Sequence, residues 1–255
     1  HTRSGSTHQA PYLVAADGAN SVVRRKLGIP ANKGQHVAVA IRGYTDHPHS
    51  GELLIRWDGD NPFTKVGLGY AWVFPIAGGV YNIGYGMSLT NGAVSRSQLL
   101  DRLRDLNVTS ADLSAVQFKG HQLPLSTHRP SPAQGRVLLA GDAASLVNPL
   151  SGEGIIYALI SGQGAGRSAV CESSLSPGDD YSRFLRRRLG RHHRDVNFLS
   201  YLSRYPWLIS RTLRTAQHDP GTLNTILGLA LGEGHLSARD FARFPVAFTK
   251  YSRLS

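Results

Sequence analysis

Three short clusters in this 255-residue sequence combine acidic, glycine and aromatic residues at spacings that suit chemistry. The first is Asp17-Gly18-Ala19-Asn20-Ser21-Val22-Val23-Arg24. Here Asp17 would stand at the carboxyl end of a short strand, and Gly18 allows a sharp turn with close backbone approach to a ligand. Ser21 suits a helix cap; Arg24, one turn on, would reach a phosphate or order the loop. An Asp-Gly turn alone is common and has little weight by itself. The second cluster is Gly141-Asp142-Ala143-Ala144, followed by Pro149-Leu150-Ser151-Gly152-Glu153-Gly154 ahead of a helix. A carboxylate at a strand end can accept hydrogen bonds from ribose or ribityl hydroxyls. Glycines opening a helix leave N–H groups free for an oxyanion or an electron-rich ring edge. The plain alternative is an ordinary strand–turn–helix. The third cluster runs Tyr70-Ala71-Trp72-Val73-Phe74-Pro75, then Gly84-Tyr85-Gly86. Side chains alternate along a strand, so Tyr70, Trp72 and Phe74 share a face, and Gly84 and Gly86 share one on the next strand. An aromatic wall opposite bare backbone predicts an apolar slot. The plain alternative is an aromatic sheet face packed into a core.

These clusters need elements to hold them. Pro11 to Ala16 reads as a short apolar strand stopped by Asp-Gly, and Ser21 to Leu27 as a short helix ended at Gly28-Ile29-Pro30. Val37, Val39 and Ile41 alternate with their neighbours, as do Leu53, Ile55 and Trp57, which predicts half-buried strands. Runs 71–76 and 80–85 form a hairpin around Ala77-Gly78-Gly79. Ser95 and Gln98 suit a capping box, with Leu99, Leu100, Leu103 and Leu106 as the stripe of the helix behind it. A further strand is expected over 116–124, and another, Arg136 to Ala140, delivers Gly141 and Asp142. Gly154, Ala158, Gly162, Ala165 and Gly166 suit a helix lying very close to a sheet. Beyond about residue 180 the expectation is of helices broken at Pro206, at Asp219-Pro220-Gly221 and at Pro245.

Composition sets the outer bounds. At 41% hydrophobic and 18% charged the chain can build a sizeable core, and disorder throughout is excluded. No run of 18 apolar residues occurs, which excludes a spanning helix. A single cysteine, Cys171, excludes a disulfide framework and any multi-cysteine metal site; a buried structural thiol is its expected role. The net charge of +11 favours anionic partners. Much of it lies in Arg183, Arg186, Arg187, Arg188, Arg191 and Arg194. Adjacent His192 and His193 point to different sides of a helix and share no ligand geometry, so no metal is expected. The arginines read either as a solvated basic face or as contacts to anionic lipid headgroups. No nucleic-acid role is expected. No secretory leader pattern is visible, and the expected location is cytoplasmic or peripheral on the inner membrane face.

Together the clusters resemble the flavoprotein superfamily that includes aromatic hydroxylases of the p-hydroxybenzoate hydroxylase type and the geranylgeranyl reductases. Asp17-Gly18-x-x-Ser21-x-Val23-Arg24 is similar to that family's Asp-Gly motif, and Gly141-Asp142-Ala143-Ala144 to its Gly-Asp motif. Pro149-x-x-Gly152-x-Gly154 is similar to the segment near its flavin ring. Tyr70-x-Trp72-x-Phe74-Pro75 with Gly84-x-Gly86 resembles the geranylgeranyl reductase branch. The resemblance spans roughly residues 10 to 172 by motif. It implies an α/β (α+β) fold with four parts: 1–35 and 129–175 from a partial FAD-binding Rossmann-like domain, 36–128 an antiparallel substrate domain, and 176–255 a helical region. It implies FAD held by Asp17, Gly18, Ser21, Arg24, Gly141, Asp142, Pro149, Gly152 and Gly154. It implies a prenyl chain held by Tyr70, Trp72, Phe74, Pro75, Gly84 and Gly86, and saturation of its C=C bonds with NAD(P)H or another reductant. No catalytic residue stands out: Tyr70 is a candidate proton donor by position, but a structural phenol is the favoured reading. The family's opening Gly-x-Gly-x-x-Gly is not matched, so the expectation is of a carboxyl-terminal portion of a longer enzyme. A monooxygenase or halogenase of the same fold, and a non-catalytic membrane-surface module, are the competing expectations.

Overall fold

Alternation of apolar and polar residues from Val37 onward gives the fold its larger sheet. In the computed structural model, which describes residues 5–46, 52–58, 69–89, 93–170 and 175–251, the elements run as follows. β1 (Leu13–Ala15) and α1 (Val22–Lys26) come first. β2 (Val37–Thr45), β3 (Leu54–Trp57), β4 (Gly69–Pro75), β5 (Tyr81–Ser88), α2 (Arg96–Asp105) and β6 (Lys119–Pro124) follow. β7 (Ala133–Gln134), β8 (Val137–Leu139) and α3 (Ile155–Val170) lead to α4 (Pro177–Leu202), α5 (Pro206–His218), α6 (Pro220–Leu231) and α7 (Ala238–Tyr251). Cys171 lies outside the described residues.

Two sheets result. The larger is antiparallel with strand order β3-β4-β5-β2-β6. One face, carrying Ile41, Ala71, Val73, Ile83, Tyr85 and Met87, packs on Leu99 and Leu103 of α2 in a continuous core. α2 starts at the expected capping box: Gln98 N donates to Ser95 Oγ at 3.2 Å, and Ser95 N to Gln98 Oε1 at 2.7 Å. Under this core Asp58 is buried, and it takes the Tyr85 hydroxyl at 2.6 Å and the Arg102 guanidinium. The second face carries Tyr70, Trp72, Phe74, Gly84 and Gly86.

The smaller sheet has order β1-β8-β7, with β1 parallel to β8. Two stretches far apart in sequence therefore lie side by side and deliver Asp17 and Gly141-Asp142 at neighbouring strand ends. Leu138, Leu139, Tyr157, Ala165, Tyr181 and Leu189 form the core beneath them, between this sheet, α3 and α4. Close approach of α3 is real at Gly154, Ala158 and Ala165 of the expected residues, but not at Gly162 and Gly166. A Cβ on Gly141 would meet Ala158 at 3.1 Å, and one on Gly164 would collide with Phe184 of α4 at 2.4 Å. Gly162 and Gly166 meet nothing within 4 Å.

The arginine-rich run is one helix, α4, with His192 and His193 both buried against Tyr157 at ring separations of 5.4 and 5.8 Å. α5 and α6 begin at Pro206 and Pro220, where the first-turn N–H is dispensable. α7 instead runs through Pro245 without a break. The expected stop there is wrong: packing of α7 on α5 and α6 outweighs the single backbone bond that proline forfeits.

Candidate active site

Two hollows take part of their lining from the turn 149–154. The first is a cleft of about 410 Å³ lined by Ala16, Gly18, Leu123, Asp142, Gly152 and Gly154 among others, within the size range of small-molecule sites. β1 and β8 bring the Asp-Gly and Gly-Asp turns to its rim. Gly18, Gly141 and Gly152 all have positive φ (77°, 58° and 72°), which fixes glycine at these corners.

Asp142 is the polar feature of the cleft. Burial pushes its carboxyl above the ordinary aspartate value, and nearby His121 pulls it partly back. His121 Nε2 stands 3.9 Å from Asp142 Oδ2. Among the described residues no protein N–H or O–H satisfies this carboxylate, so its acceptor capacity faces the cleft. A Cβ on Gly154 would approach Asp142 Oδ1 to 3.3 Å, so glycine there keeps the carboxylate unobstructed. An unsatisfied carboxylate over a glycine cradle suits the hydroxyls of a ribityl or ribose chain.

The Asp17 motif is turned to a different task. Asp17 Oδ2 accepts the Val22 and Val23 amides at 2.8 and 3.2 Å, and Ser21 Oγ accepts the Arg24 amide at 2.9 Å. Burial would raise the Asp17 carboxyl, but the Ser21 side chain and the α1 amides win and hold it below the ordinary value. Arg24 takes the second of its two expected roles, ordering the loop. It is 4% exposed and donates to Ser145 Oγ at 2.7 Å, Asn32 Oδ1 at 3.0 Å and Pro30 O at 2.6 Å. It thereby stitches the first motif to the end of the second, where Ser145 sits at φ 55°.

The amides opening α3 are not free, contrary to expectation. Glu153 Oε1 accepts the Ile155 and Ile156 N–H groups at 2.6 and 3.1 Å. Glu153 sits where a capping acid would sit, and that signal was legible in Gly-Glu-Gly ahead of the helix.

The expected slot between the aromatic wall and the glycines is closed. Trp72 pairs across the ladder with Gly84, and its indole lies over that glycine. A Cβ on Gly84 would meet the ring at 2.3 Å and the Ile41 carbonyl at the same distance. The space left by glycine is filled by the wall itself, and Trp72 Nε1 donates to Asn82 Oδ1 at 3.0 Å. Gly86 lies 3.6 Å from the same ring by the same measure. Tyr70 and Phe74 flank the indole at 5.8 and 6.2 Å, and Pro75 is exposed at the strand end. The Tyr70 hydroxyl donates to the Ser151 carbonyl, so this strand buttresses the turn 149–154. Burial, and secondarily the Glu153 charge, pushes the Tyr70 phenol up to about 12; it keeps its proton at neutral pH.

The second hollow takes Leu150 from that turn. It is apolar and lined by Trp57, Leu150, Leu199, Leu208, Ile209 and Leu229, with further residues of α4–α6. Trp57 pairs with Tyr70 one strand over from the aromatic wall. The expectation of an apolar hollow was thus misplaced by one strand, and its helical walls were missed. Their signal was the apolar periodicity of 199–213. Among the described residues no three His, Cys, Asp or Glu side chains gather as metal ligands, and no helix is long and apolar enough to cross a membrane.

No family model matches the chain. It is 35% identical over 170 residues to a menaquinone reductase of Mycolicibacterium smegmatis, covering 62% of this chain and 41% of that protein. It is 30% identical over 200 residues to a digeranylgeranylglycerophospholipid reductase of Thermoplasma acidophilum, covering 72% and 48%. The chain thus spans less than half the length of these curated relatives. Among solved structures, a geranylgeranyl bacteriochlorophyll reductase-like protein of Thermoplasma acidophilum superposes with TM-score 0.64 at 18% identity, over 97% of this chain and 62% of that one. A flavin-dependent brominase superposes with TM-score 0.58 at 14% identity, over 97% and 64%. At these identities the likeness to the two structures is one of fold.

Proposed function

We propose that this chain, a relative of the menaquinone and geranylgeranyl reductases, carries the flavin-ring and substrate side of an FAD-dependent reductase that saturates C=C bonds in the prenyl chain of a lipid or quinone. The observation that carries the reading is the turn 149–154, which lends residues both to an acid-tipped cleft and to an apolar cavity. Residues 1–35 and 129–175 are read as two pieces of one FAD-binding unit, 36–128 as the substrate sheet, and 176–255 as the helical wall.

In this reading Asp142 accepts hydrogen bonds from the ribityl and ribose hydroxyls, and the backbone at Gly18, Gly152 and Gly154 lets the cofactor approach. FAD, when bound and reduced by NAD(P)H or another donor, would supply a hydride to one alkene carbon, the other carbon taking a proton from water. The remaining work falls to the chain. Trp57, Leu150 and the leucines of α4–α6 bind and orient the prenyl tail and keep water away. Tyr70 and Ser151 hold the turn in place. Arg24, Asn32 and Ser145 fix the geometry of the Gly-Asp corner from behind.

The prenyl substrate is delivered from a membrane surface. Trp207, Arg211, Arg214 and His218 recur at helical spacing along α5, which contains no acidic residue. Trp207 is 64% exposed, and Leu223, Leu227 and Leu231 form an exposed stripe on α6, beside its cavity-lining Ile226 and Ala230. Exposed aromatic and leucine side chains next to arginines suit the interface of an anionic bilayer.

The test is to incubate the protein with reduced FAD and either menaquinone or a geranylgeranyl lipid. After reoxidation in air, which returns any quinol to the quinone, the expected product is still heavier than the substrate by one or more H2 units. An oxygenated or halogenated aromatic product would overturn the reading.

A further inference from the structure

Helix α6 forms part of the apolar cavity, and its carbonyl end is finished in an unusual way. The last carbonyls of a helix have no partner within it. Here the Leu229 and Ala230 carbonyls are taken by Asn148 and Ser151, and the chain just past the helix, at Gly232 and Gly234, is held by side chains of α3 and α4. Asn148 Nδ2 donates to Leu229 O at 2.7 Å and more weakly to Ala230 O at 3.4 Å. Ser151 Oγ donates to Ala230 O. Tyr157 Oη of α3 donates to Gly232 O at 2.7 Å, and His192 Nδ1 of α4 lies 2.6 Å from Gly234 O. A carbonyl can only accept, so His192 carries its proton on Nδ1. Tyr157 Oη in turn accepts from Asn148 Nδ2 at 3.0 Å, and His192 Nε2, left without a proton, lies 2.8 Å away as a second acceptor for the one hydroxyl proton that Gly232 O also receives. Asn148 is fully buried, and its Oδ1 also accepts the Leu150 amide at 2.9 Å.

Asn148 therefore grips two things with one side chain: the turn 149–154 through its oxygen, and the end of α6 through its nitrogen. Leu229 and Ala230, whose carbonyls it holds, also line the cavity. We infer that Asn148, assisted by Ser151, Tyr157 and His192, is a positioning residue that locks the α6 wall of the apolar cavity to the turn beside the cleft. A chain lying against that wall is thereby held in fixed register with whatever the turn faces. The latch itself is independent of the proposed reaction; only its consequence for a prenyl ligand rests on that reading.

Asn148→Asp separates this role from a local one. Aspartate keeps the oxygen that receives the Leu150 amide but turns the second arm into an acceptor, aimed at two carbonyls and at the negative end of a helix. A turn-forming role predicts that Asp is tolerated and Ala is worse. The latch predicts the reverse. Two measurements read it on the intact chain. Hydrogen exchange of the α6 carbonyl-end turn should accelerate about ten-fold or more in Asn148→Asp, more than in Asn148→Ala, while α2 is unaffected. Ser151→Ala, a milder change, should accelerate the same amides by a smaller factor. Geranylgeraniol affinity should fall in the same order. Exchange in Asn148→Asp equal to that of the unaltered chain overturns the latch. Should the unaltered chain fail to bind geranylgeraniol, the prenyl reading falls while exchange still judges the latch. Binding that is equal in all variants while exchange accelerates overturns the link to the cavity.

Discussion

At the scale of single residues, the deciding facts are which atoms are satisfied and which are not. Among the described residues no donor reaches the Asp142 carboxylate at hydrogen-bond distance, and the neighbouring glycine leaves it room. Asp17, at the matching position of the other motif, has its carboxylate occupied by α1. Asp142→Asn is therefore expected to lower FAD content, measured by flavin absorbance after desalting. Asp17→Asn is expected to lower thermal stability, read by calorimetry, because it weakens a charged cap. Gly84 presents the opposite situation, a position with no spare volume. Gly84→Ala would drive a methyl into the Trp72 ring and the Ile41 carbonyl, and should cost about 1–3 kcal/mol in urea denaturation. The rule that glycine marks open space could not distinguish an empty slot from one filled by a cross-strand indole. Composition carries no sign of which it is; only the register of β4 on β5 does.

At the scale of elements, most of what was legible came from capping and periodicity. The Ser95–Gln98 box, the Ala77-Gly78-Gly79 corner and the β-alternation from Val37 each act locally, within a few residues. What was not legible depended on packing. Pro245 inside α7 has the signature of a break, and only contact with α5 and α6 overrides it. The cavity walls on α4–α6 were hidden for the same reason, since an apolar helical stripe reads equally as core. α4 holds one testable consequence. His193 is 3% exposed, its Nε2 has no hydrogen-bond partner among the described residues, and burial, with the Arg129 and His192 charges secondary, pushes its pKa down to about 3. The unfolded chain binds a proton at this histidine below about pH 6.5. The folded chain does not bind it until about pH 3. Stability is thus complete above pH 6.5 and falls through this window as acid is added, by about 1.4 kcal/mol per pH unit at most. His193→Leu should flatten the slope of melting temperature between pH 6.5 and 5, leaving the smaller contributions of His36 and His192, whose values burial also lowers.

At the scale of the whole molecule, charge and exposure are unevenly spread. The acid-free outer stripe of α5 and the leucines of α6 border the apolar cavity. Binding to vesicles containing phosphatidylglycerol should exceed binding to pure phosphatidylcholine, and should weaken in high salt as the arginine contribution is screened. Trp207→Ala with Arg214→Ala should reduce vesicle co-sedimentation without altering the far-UV spectrum. Equal binding to both vesicle types would remove the electrostatic part of the proposal.

The pairing of β1 with β8 sets a timetable for biosynthesis. Leu13–Ala15 leaves the ribosome more than a hundred residues ahead of Val137–Leu139, its parallel partner. At about 5–20 residues per second the earlier strand waits on the order of ten seconds with an unpaired edge. Arg24 waits with it, because its anchor at Ser145 is still unmade. The Asp17 and Ser21 caps need only their near neighbours, so α1 has its own bonds before Ser145 and β8 are made. The nascent chain is therefore most open to chaperones and proteases while the large sheet is being translated.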